Sequence, residues 1–228
     1  MRGAGLSLDP GILSKAAQGD ARAQLAAGLA CQNRPNATPQ DLKEAAQWFH
    51  KAAQQGNAEA QTNLGICFLW GNGVDKSWPT AARWFGDAAK QGLPRAQYWM
   101  GELFRNGTAV PRSYAEAMKW YLLAAAQGDA AAHDAIANLY FFGHGVKQDD
   151  AKAAGHLKIA ADKGFAPSQK LLGDFHQLGL GGLEKSDMEA AAWYAKAAAL
   201  QFEPAMTALA DCYLNGKGLA QDPAQAVS

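Results

Sequence analysis

Between Lys51 and Gly92 the chain reads KAAQQGNAEAQTNLGICFLWGNGVDKSWPTAARWFGDAAKQG. In its first half the apolar positions Ala60, Leu64 and Phe68 are four apart, which draws a narrow stripe along one face of a helix. In its second half Ala81, Trp84, Phe85, Ala88 and Ala89 follow the i, i+3, i+4, i+7, i+8 pattern, and a second amphipathic helix is predicted. Gly71-Asn72-Gly73 separates the two as a turn. The alanine pair at the end of the second helix runs into Gly92, the residue type that accepts the left-handed backbone closing a helix. No stretch alternates with the period of two that a half-buried strand requires.

The same unit recurs along the whole chain. Helix-ending glycines stand at Gly19, Gly56, Gly92, Gly128 and Gly164, with Gln201 in the sixth place, so successive spacings are 37, 36, 36, 36 and 37 residues. First helices repeat Leu64-Gly65 with Phe68, Met100-Gly101 with Phe104, Ile136-Ala137 with Tyr140, Leu172-Gly173 with His176 and Leu209-Ala210 with Tyr213. Second helices repeat Trp48-Phe49, Trp84-Phe85, Trp120-Tyr121, His156-Leu157 and Trp193-Tyr194, each followed by alanines. Asn57 and Asp129 are predicted N-caps, and Pro94, Pro167 and Pro204 fall in first turns, where a missing N–H costs nothing. Gly28, Gly65, Gly101 and Gly173 lie inside first helices, where glycine costs about 1 kcal/mol relative to alanine. Only Ala137 and Ala210 replace them. Close approach of the paired helices is the predicted reason, with the Trp-Phe pair filling the gap to the next repeat. Trp84 and Trp120 are accordingly expected to be buried between repeats.

The combined unit, A-x-A-Q-x-x-L-G-x-x-[FY]-x-x-G-x-G-V followed by A-x-x-W-[FY]-x-x-A-A-x-x-G, resembles the Sel1-like repeat, a relative of the tetratricopeptide repeat. The match extends over roughly residues 14–226 and is carried in the second unit by Ala60-Gln61, Leu64-Gly65, Phe68, Gly71–Val74, Ala81, Trp84-Phe85 and Ala88-Ala89. The resemblance implies an all-α fold, a right-handed α-solenoid of stacked helix-turn-helix repeats. It implies one domain over 1–228, with five full repeats of about 36 residues and a truncated sixth at 202–228. Departures stand out against the pattern. Gln32–Gln40 replaces the Gly-x-Gly turn in the first repeat, and His156 stands where tryptophan is expected. Asp222–Ser228 falls where a second helix should begin, so the sixth repeat is expected to fray or to be closed by something else.

Composition narrows the function. Lys plus Arg and Asp plus Glu both total 21, a net charge of zero, which argues against a basic nucleic-acid or anionic-membrane surface. No apolar run reaches the roughly 18 residues of a membrane-spanning helix. The N-terminal segment MRGAGLSLDPGILSK has no continuous apolar core of a signal peptide. A cytoplasmic location is expected, and a periplasmic one if a signal has been removed. Cys31, Cys67 and Cys212 all fall on first helices. Packed helices lie about 8–10 Å apart and disulfides need Cα atoms within about 7 Å, so three free thiols are expected.

Little in the sequence points to catalysis. The Gly-x-Gly turns join helix to helix, whereas phosphate loops follow a strand. The five histidines show no i, i+4 pairing; His156 and His176 occupy core-type positions and are expected to fill the repeat with a hydrogen bond. Ser-x-x-Lys and His-Glu-x-x-His are absent, so no catalytic residue, metal or cofactor is assigned. Cysteine-rich relatives associated with β-lactam binding or hydrolysis pair cysteines within every repeat, which this chain does not, and a hydrolase is the least favoured reading.

The resemblance puts first helices on the concave face of the solenoid. First-helix positions that the core does not claim then give the candidate partner-binding residues: Asn63, Trp70, Tyr98, Trp99, Glu102, Arg105, Asp134, Asn138, Phe141, Phe142, Lys170 and Asp174. Aromatics and arginine dominate binding hot spots. Tyr98 and Trp99 are read as groove residues outside the core set. Trp70 and Phe142, beside the turns, fit the groove and the space beneath the turns equally. The expected function is a non-catalytic scaffold or adaptor that binds a protein or peptide, without nucleic acid or membrane insertion. Relatives act in bacterial regulatory, secretion and envelope complexes. Others are immunity proteins that neutralise a toxic effector, and this is the specific alternative.

Overall fold

The computed structural model describes residues 10–227. Among them there are twelve α-helices and no strand. They fall into two compact units, one ending at Arg112 and one beginning at Ser113. The first holds α1 (Pro10–Ala17), α2 (Ala21–Gln32), α3 (Pro39–Gln54), α4 (Ala58–Trp70), α5 (Trp78–Lys90) and α6 (Pro94–Asn106). The second holds α7 (Tyr114–Ala125), α8 (Ala130–Phe142), α9 (Asp150–Asp162), α10 (Ala166–Leu178), α11 (Asp187–Ala199) and α12 (Glu203–Asn215), then a short 3-10 turn at Gln225–Val227. Within each unit every helix packs against the next.

The ends of the helices follow the sequence. Asp20, Asn57 and Asp129 cap α2, α4 and α8, their side chains accepting from Ala23, Ala60 and Ala132 N–H groups at 2.7–2.9 Å. Ser77, Ser113 and Ser186 do the same for α5, α7 and α11. The glycine that ends each second helix is left-handed, with φ between 82° and 99°, and Gln201 adopts the same backbone at 61°.

In three repeats the helical glycine meets an aromatic ring. A Cβ on Gly28 would lie 2.5 Å from the Phe49 ring, one on Gly65 2.6 Å from Phe85, and one on Gly173 2.5 Å from Tyr194. All three rings are essentially buried. In the fourth repeat Ala137 takes the glycine's place, and the ring is replaced by the smaller Leu157 in the same buried cluster. The predicted close approach is therefore a fit between a missing side chain and a flat ring.

That fit revises the expectation for the tryptophans. Trp84 is buried, but Trp120 is only half-buried, as is Trp48. The residue after each tryptophan holds the centre of the repeat, and the indoles lie nearer its margin. Cations cover them there: Lys51 sits 4.3 Å over Trp48, Arg83 4.9 Å over Trp84 and Lys196 3.6 Å over Trp193.

A second periodic device is polar. Gln24, Gln61, Gln97 and Gln169 are buried, and each donates its amide to a carbonyl eight residues earlier, at Ala16, Ala53, Ala89 and Ala161 respectively. Those carbonyls sit in the last turn of the preceding second helix, where intrahelical partners run out. Gln55 and Gln91 then donate to the Gln24 and Gln61 side-chain oxygens at 2.8 Å. In the fifth repeat Leu200 occupies the donor's place, and the Gln169 Oε1 is left buried without a partner.

Two stability measurements check this packing. Gly65→Ala and Phe85→Leu should each lose about 1–3 kcal/mol in denaturant unfolding, through overpacking and a cavity respectively. Combined, they should lose at least about 1 kcal/mol less than the sum, because the pair then matches Ala137 with Leu157; simple additivity would refute the fit. Separately, Leu200→Gln should stabilise the chain by about 1 kcal/mol by supplying the donor that Gln169 lacks. An unchanged midpoint would show that this oxygen is satisfied in another way.

Candidate functional site

All but one of the candidate residues of the first unit gather at the C-terminal end of α4 and on one face of α6, beside the N-terminus of α5. Trp70, Tyr98, Trp99 and Glu102 line a cavity of about 320 Å³, completed by Trp78, Lys76, Leu69 and Leu103. Trp70 is 61% exposed and Trp78 48% exposed. Lys76 places its ammonium 5.0 Å over the Trp78 ring. Beside the cavity Arg105 donates to Glu102 at 2.6 Å, one turn apart on α6.

Trp78 was not among the sequence candidates. It opens α5 just before Pro79, a place that periodicity assigns to a helix start rather than to a surface. The signal that could have found it is the set of counterparts in later repeats, Tyr114, Asp150 and Asp187, which share no core property.

Trp99 departs from its expected role. It is half-buried and lies flat against Phe85, with ring centroids 5.6 Å apart and 10° between planes, while Tyr98 meets it edge-on at 5.6 Å. Trp99 is thus the wall through which the cavity leans on the core. Asn63 is largely buried; it accepts from Arg95 Nη1 at 3.2 Å beside a separate cavity between α4 and α6.

In the second unit the candidates divide in two. Asp134 accepts from Asn138 Nδ2 at 3.0 Å and from Ser168 Oγ at 2.6 Å, tying α8 to α10. Asp174 accepts from Lys170 at 2.7 Å and from the Tyr194 hydroxyl at 2.8 Å, tying α10 to α11. Burial and the Asp174 carboxylate together drive the Tyr194 phenol far above its usual range. These polar residues hold repeats together as well as facing outward. The aromatic candidates form a separate run: Phe141 packs on buried Phe175 at 5.3 Å, and Phe142 lies 5.0 Å from it, 60% exposed. His144 continues the run between Phe142 and Tyr114, at 5.6 and 4.7 Å.

The three cysteines are free and buried, as expected. Burial pushes the Cys67 thiol up to about 11 and raises the other two, which makes all three poor nucleophiles at neutral pH. Among the described residues, no three His, Cys, Asp or Glu side chains gather as a metal-binding group. No described helix is long and apolar enough to cross a membrane.

Comparison with known proteins agrees with this architecture. The Sel1 repeat matches the chain six times, at residues 21–57, 58–93, 94–129, 130–165, 166–202 and 203–228. A Sel1 repeat protein from Oxalobacter formigenes is 32% identical over 96% of this chain and 85% of its own, with a TM-score of 0.81. The protein c5321, a protective antigen present in uropathogenic Escherichia coli strains and displaying an SLR fold, is 37% identical over 95% of this chain, with a TM-score of 0.77. The chain spans only 46% of that protein's length. Immunity protein Pa5087 from Pseudomonas aeruginosa covers 97% of this chain and 76% of its own at 20% identity and a TM-score of 0.59, a likeness that shows the fold alone. No curated protein matches the chain. The fold class is an all-α solenoid of helical repeats.

One cluster of titratable groups remains. His133 stands in the fourth repeat where the first, second, third and fifth carry the buried glutamine, and His156 stands where they carry tryptophan. The two rings meet, Nδ1 to Nδ1, at 3.0 Å. One shared hydrogen satisfies both nitrogens; a second proton would set two N–H groups against each other. His176, by contrast, keeps a buried Nδ1 without a partner, so only one of the two core-position histidines finds the expected hydrogen bond. Burial, foremost, and then His133 lower the pKa of His156. Burial lowers that of His133 too, aided by the Lys163 ammonium and opposed by the Ala125 carbonyl and Asp129. Tyr140, itself beneath Lys152, stacks on the His156 ring at 6.0 Å. Because both folded pKa values lie below the unfolded 6.5, the folded state binds fewer protons. Stability should be full above about pH 6.5 and fall as the pH drops from there through the lowered values. Melting curves should show this loss for the natural chain, and His133→Gln with His156→Trp should remove most of it. An equal acid loss in that variant would place the sensitivity elsewhere.

Proposed function

The chain belongs to the Sel1 repeat family, and on that premise we propose that it is a non-catalytic scaffold binding a partner protein through the first helices of its repeats. The observation that carries this reading is the pair Trp70 and Trp78, both exposed over one cavity walled by Tyr98 and Trp99. Large exposed aromatics brought together on one surface mark interaction sites, and aromatic anchors supply most of the energy in protein interfaces. The repeat does not demand either tryptophan: Asn106, Phe142, Leu178 and Asn215 stand in the place of Trp70. Phe142 and Leu178 are also exposed, so the last residue of the first helix offers apolar surface in three repeats.

Asn63, Glu102, Arg105, Asp134, Asn138, Lys170 and Asp174 supply the polar part of the proposed face, and Phe141 and Phe142 its aromatic part in the second unit. The ion pair of Glu102 with Arg105 and the bonds to Asp134 and Asp174 hold these groups in fixed positions, which lowers the ordering cost of binding. An adaptor role follows from this reading. Neutralisation of an effector enzyme has only the likeness of fold behind it.

Trp99 is a poor target for testing the face, since its removal would strip Phe85 of a stacking partner. Trp70→Ala with Trp78→Ala separates binding from folding. With the partner captured from lysate and its affinity measured by calorimetry, this double variant should bind about a hundredfold more weakly, from two losses near 1.4 kcal/mol. Its melting temperature should stay within a few degrees of the natural chain, and Lys119→Ala on α7 should bind normally. Affinity within about threefold of the natural chain would remove the aromatic cavity from the interface.

A further inference from the structure

A second surface, formed by α3, α4 and the turn after α4, differs in chemistry from the aromatic cavity. Lys43, Gln47, His50 and Lys51 fall at i, i+4, i+7 and i+8 on α3, so they share one helical face. They rim a cavity of about 410 Å³ whose floor is Ala46, Leu64, Phe68 and Val74. Three of the four rim residues are lysine or histidine, and no Asp or Glu lines the space.

The rim is also uncompensated. Neither lysine nor His50 makes an ion pair among the described residues, while the α3 carboxylates Asp41 and Glu44 are engaged by Arg34. Lys51 rests over Trp48 and His50 meets the edge of Trp84, contacts that leave both at the rim. Nor does the repeat require this charge. The corresponding residues of the next repeat are Pro79, Arg83, Gly86 and Asp87, and no other repeat places two lysines and a histidine at these positions. In a chain of zero net charge, this is a local positive field over an apolar floor.

We propose that this cavity is a docking site for an acidic peptide segment of a partner protein, with one apolar side chain on the floor and flanking carboxylates on Lys43 and Lys51. Charge complementarity fixes the sign of the guest, since each ammonium gains a charge-assisted hydrogen bond that the chain itself does not supply. The floor fixes the other half. A pure polyanion such as nucleic acid would leave Leu64, Phe68 and Val74 unused, whereas an aromatic or aliphatic side chain covers them. The site lies apart from the aromatic cavity and does not rest on that reading.

The test is an amide NMR titration of the full chain with the tripeptide acetyl-Asp-Phe-Asp-amide. Controls are acetyl-Asn-Phe-Asn-amide, acetyl-Asp-Ala-Asp-amide and a single-stranded oligonucleotide. Shifts should centre on residues 43–51 and 64–74, and the acidic aromatic peptide should bind at least about tenfold more tightly than either control peptide. Added salt should weaken it. Lys43→Glu with Lys51→Glu should abolish it with an unchanged circular dichroism spectrum, and the milder Lys43→Gln with Lys51→Gln should weaken it. Trp70→Ala with Trp78→Ala should leave it intact. Equal binding of the asparagine peptide, shifts centred elsewhere, or stronger competition by the oligonucleotide would each overturn the proposal.

Discussion

The interaction on which the fold depends is the seating of an aromatic ring in the space left by a glycine. Gly28, Gly65 and Gly173 each lie so close to Phe49, Phe85 or Tyr194 that an added methyl group would overlap the ring. Glycine weakens its helix by about 1 kcal/mol, but burying a whole phenyl side chain contributes about 1.5–3 kcal/mol, so the exchange favours the fold. The same contact sets the spacing of the two helices. It also leaves the neighbouring tryptophan nearer the edge of the repeat, under a lysine or arginine. The fourth repeat shows that the two positions act together. Where alanine replaces the glycine at 137, leucine replaces the ring at 157.

The buried glutamines solve a different problem, that of joining one repeat to the next. A helix ends with carbonyls that have no intrahelical partner, and burying them unpaired is costly. Gln24, Gln61, Gln97 and Gln169 each reach back across the turn to such a carbonyl, while the left-handed glycine in the turn lets the chain reverse. The hydrogen bond and the turn thus specify one angle of entry for the following helix. His133 occupies this place in the fourth repeat and gives it a titratable group that meets His156.

Most of the fold was legible in the sequence because each positional rule is stated five or six times. Helix-ending glycines and the spacing of apolar residues recur from repeat to repeat, so an error in one is corrected by the others. What the period did not disclose was which of two adjacent aromatics takes the centre, since Trp84 and Phe85 are both large and apolar. The contact of His133 with His156 escaped as well. Metal and catalytic pairs are sought at i, i+4, and these residues are 23 apart in sequence. The readable signal was that both depart from the repeat within the same unit. Of the candidate residues, Trp70, Tyr98, Trp99 and Glu102 line one cavity, together with Trp78, which the sequence pattern did not point to. A helix start carries a capping signal strong enough to hide a surface residue.

In a repeat protein, structural need can be separated from other uses of a residue within a single chain. A side chain that the fold requires reappears at the same place in other repeats; one that the fold merely tolerates does not. Phe85, Gly65 and Gln61 belong to the first kind, and the fourth repeat replaces the glycine and the ring together, by Ala137 and Leu157. Trp70, Trp78 and Lys43 belong to the second, and all three line cavities open at the surface. Aromatic side chains left in water cost free energy that a neutral polar residue at the same position would avoid. Trp70 and Trp78 stand where other repeats carry Asn106 and Asn215 or Asp150 and Asp187, so the repeat itself does not call for them, and the proposed partner contact is the use that would account for them.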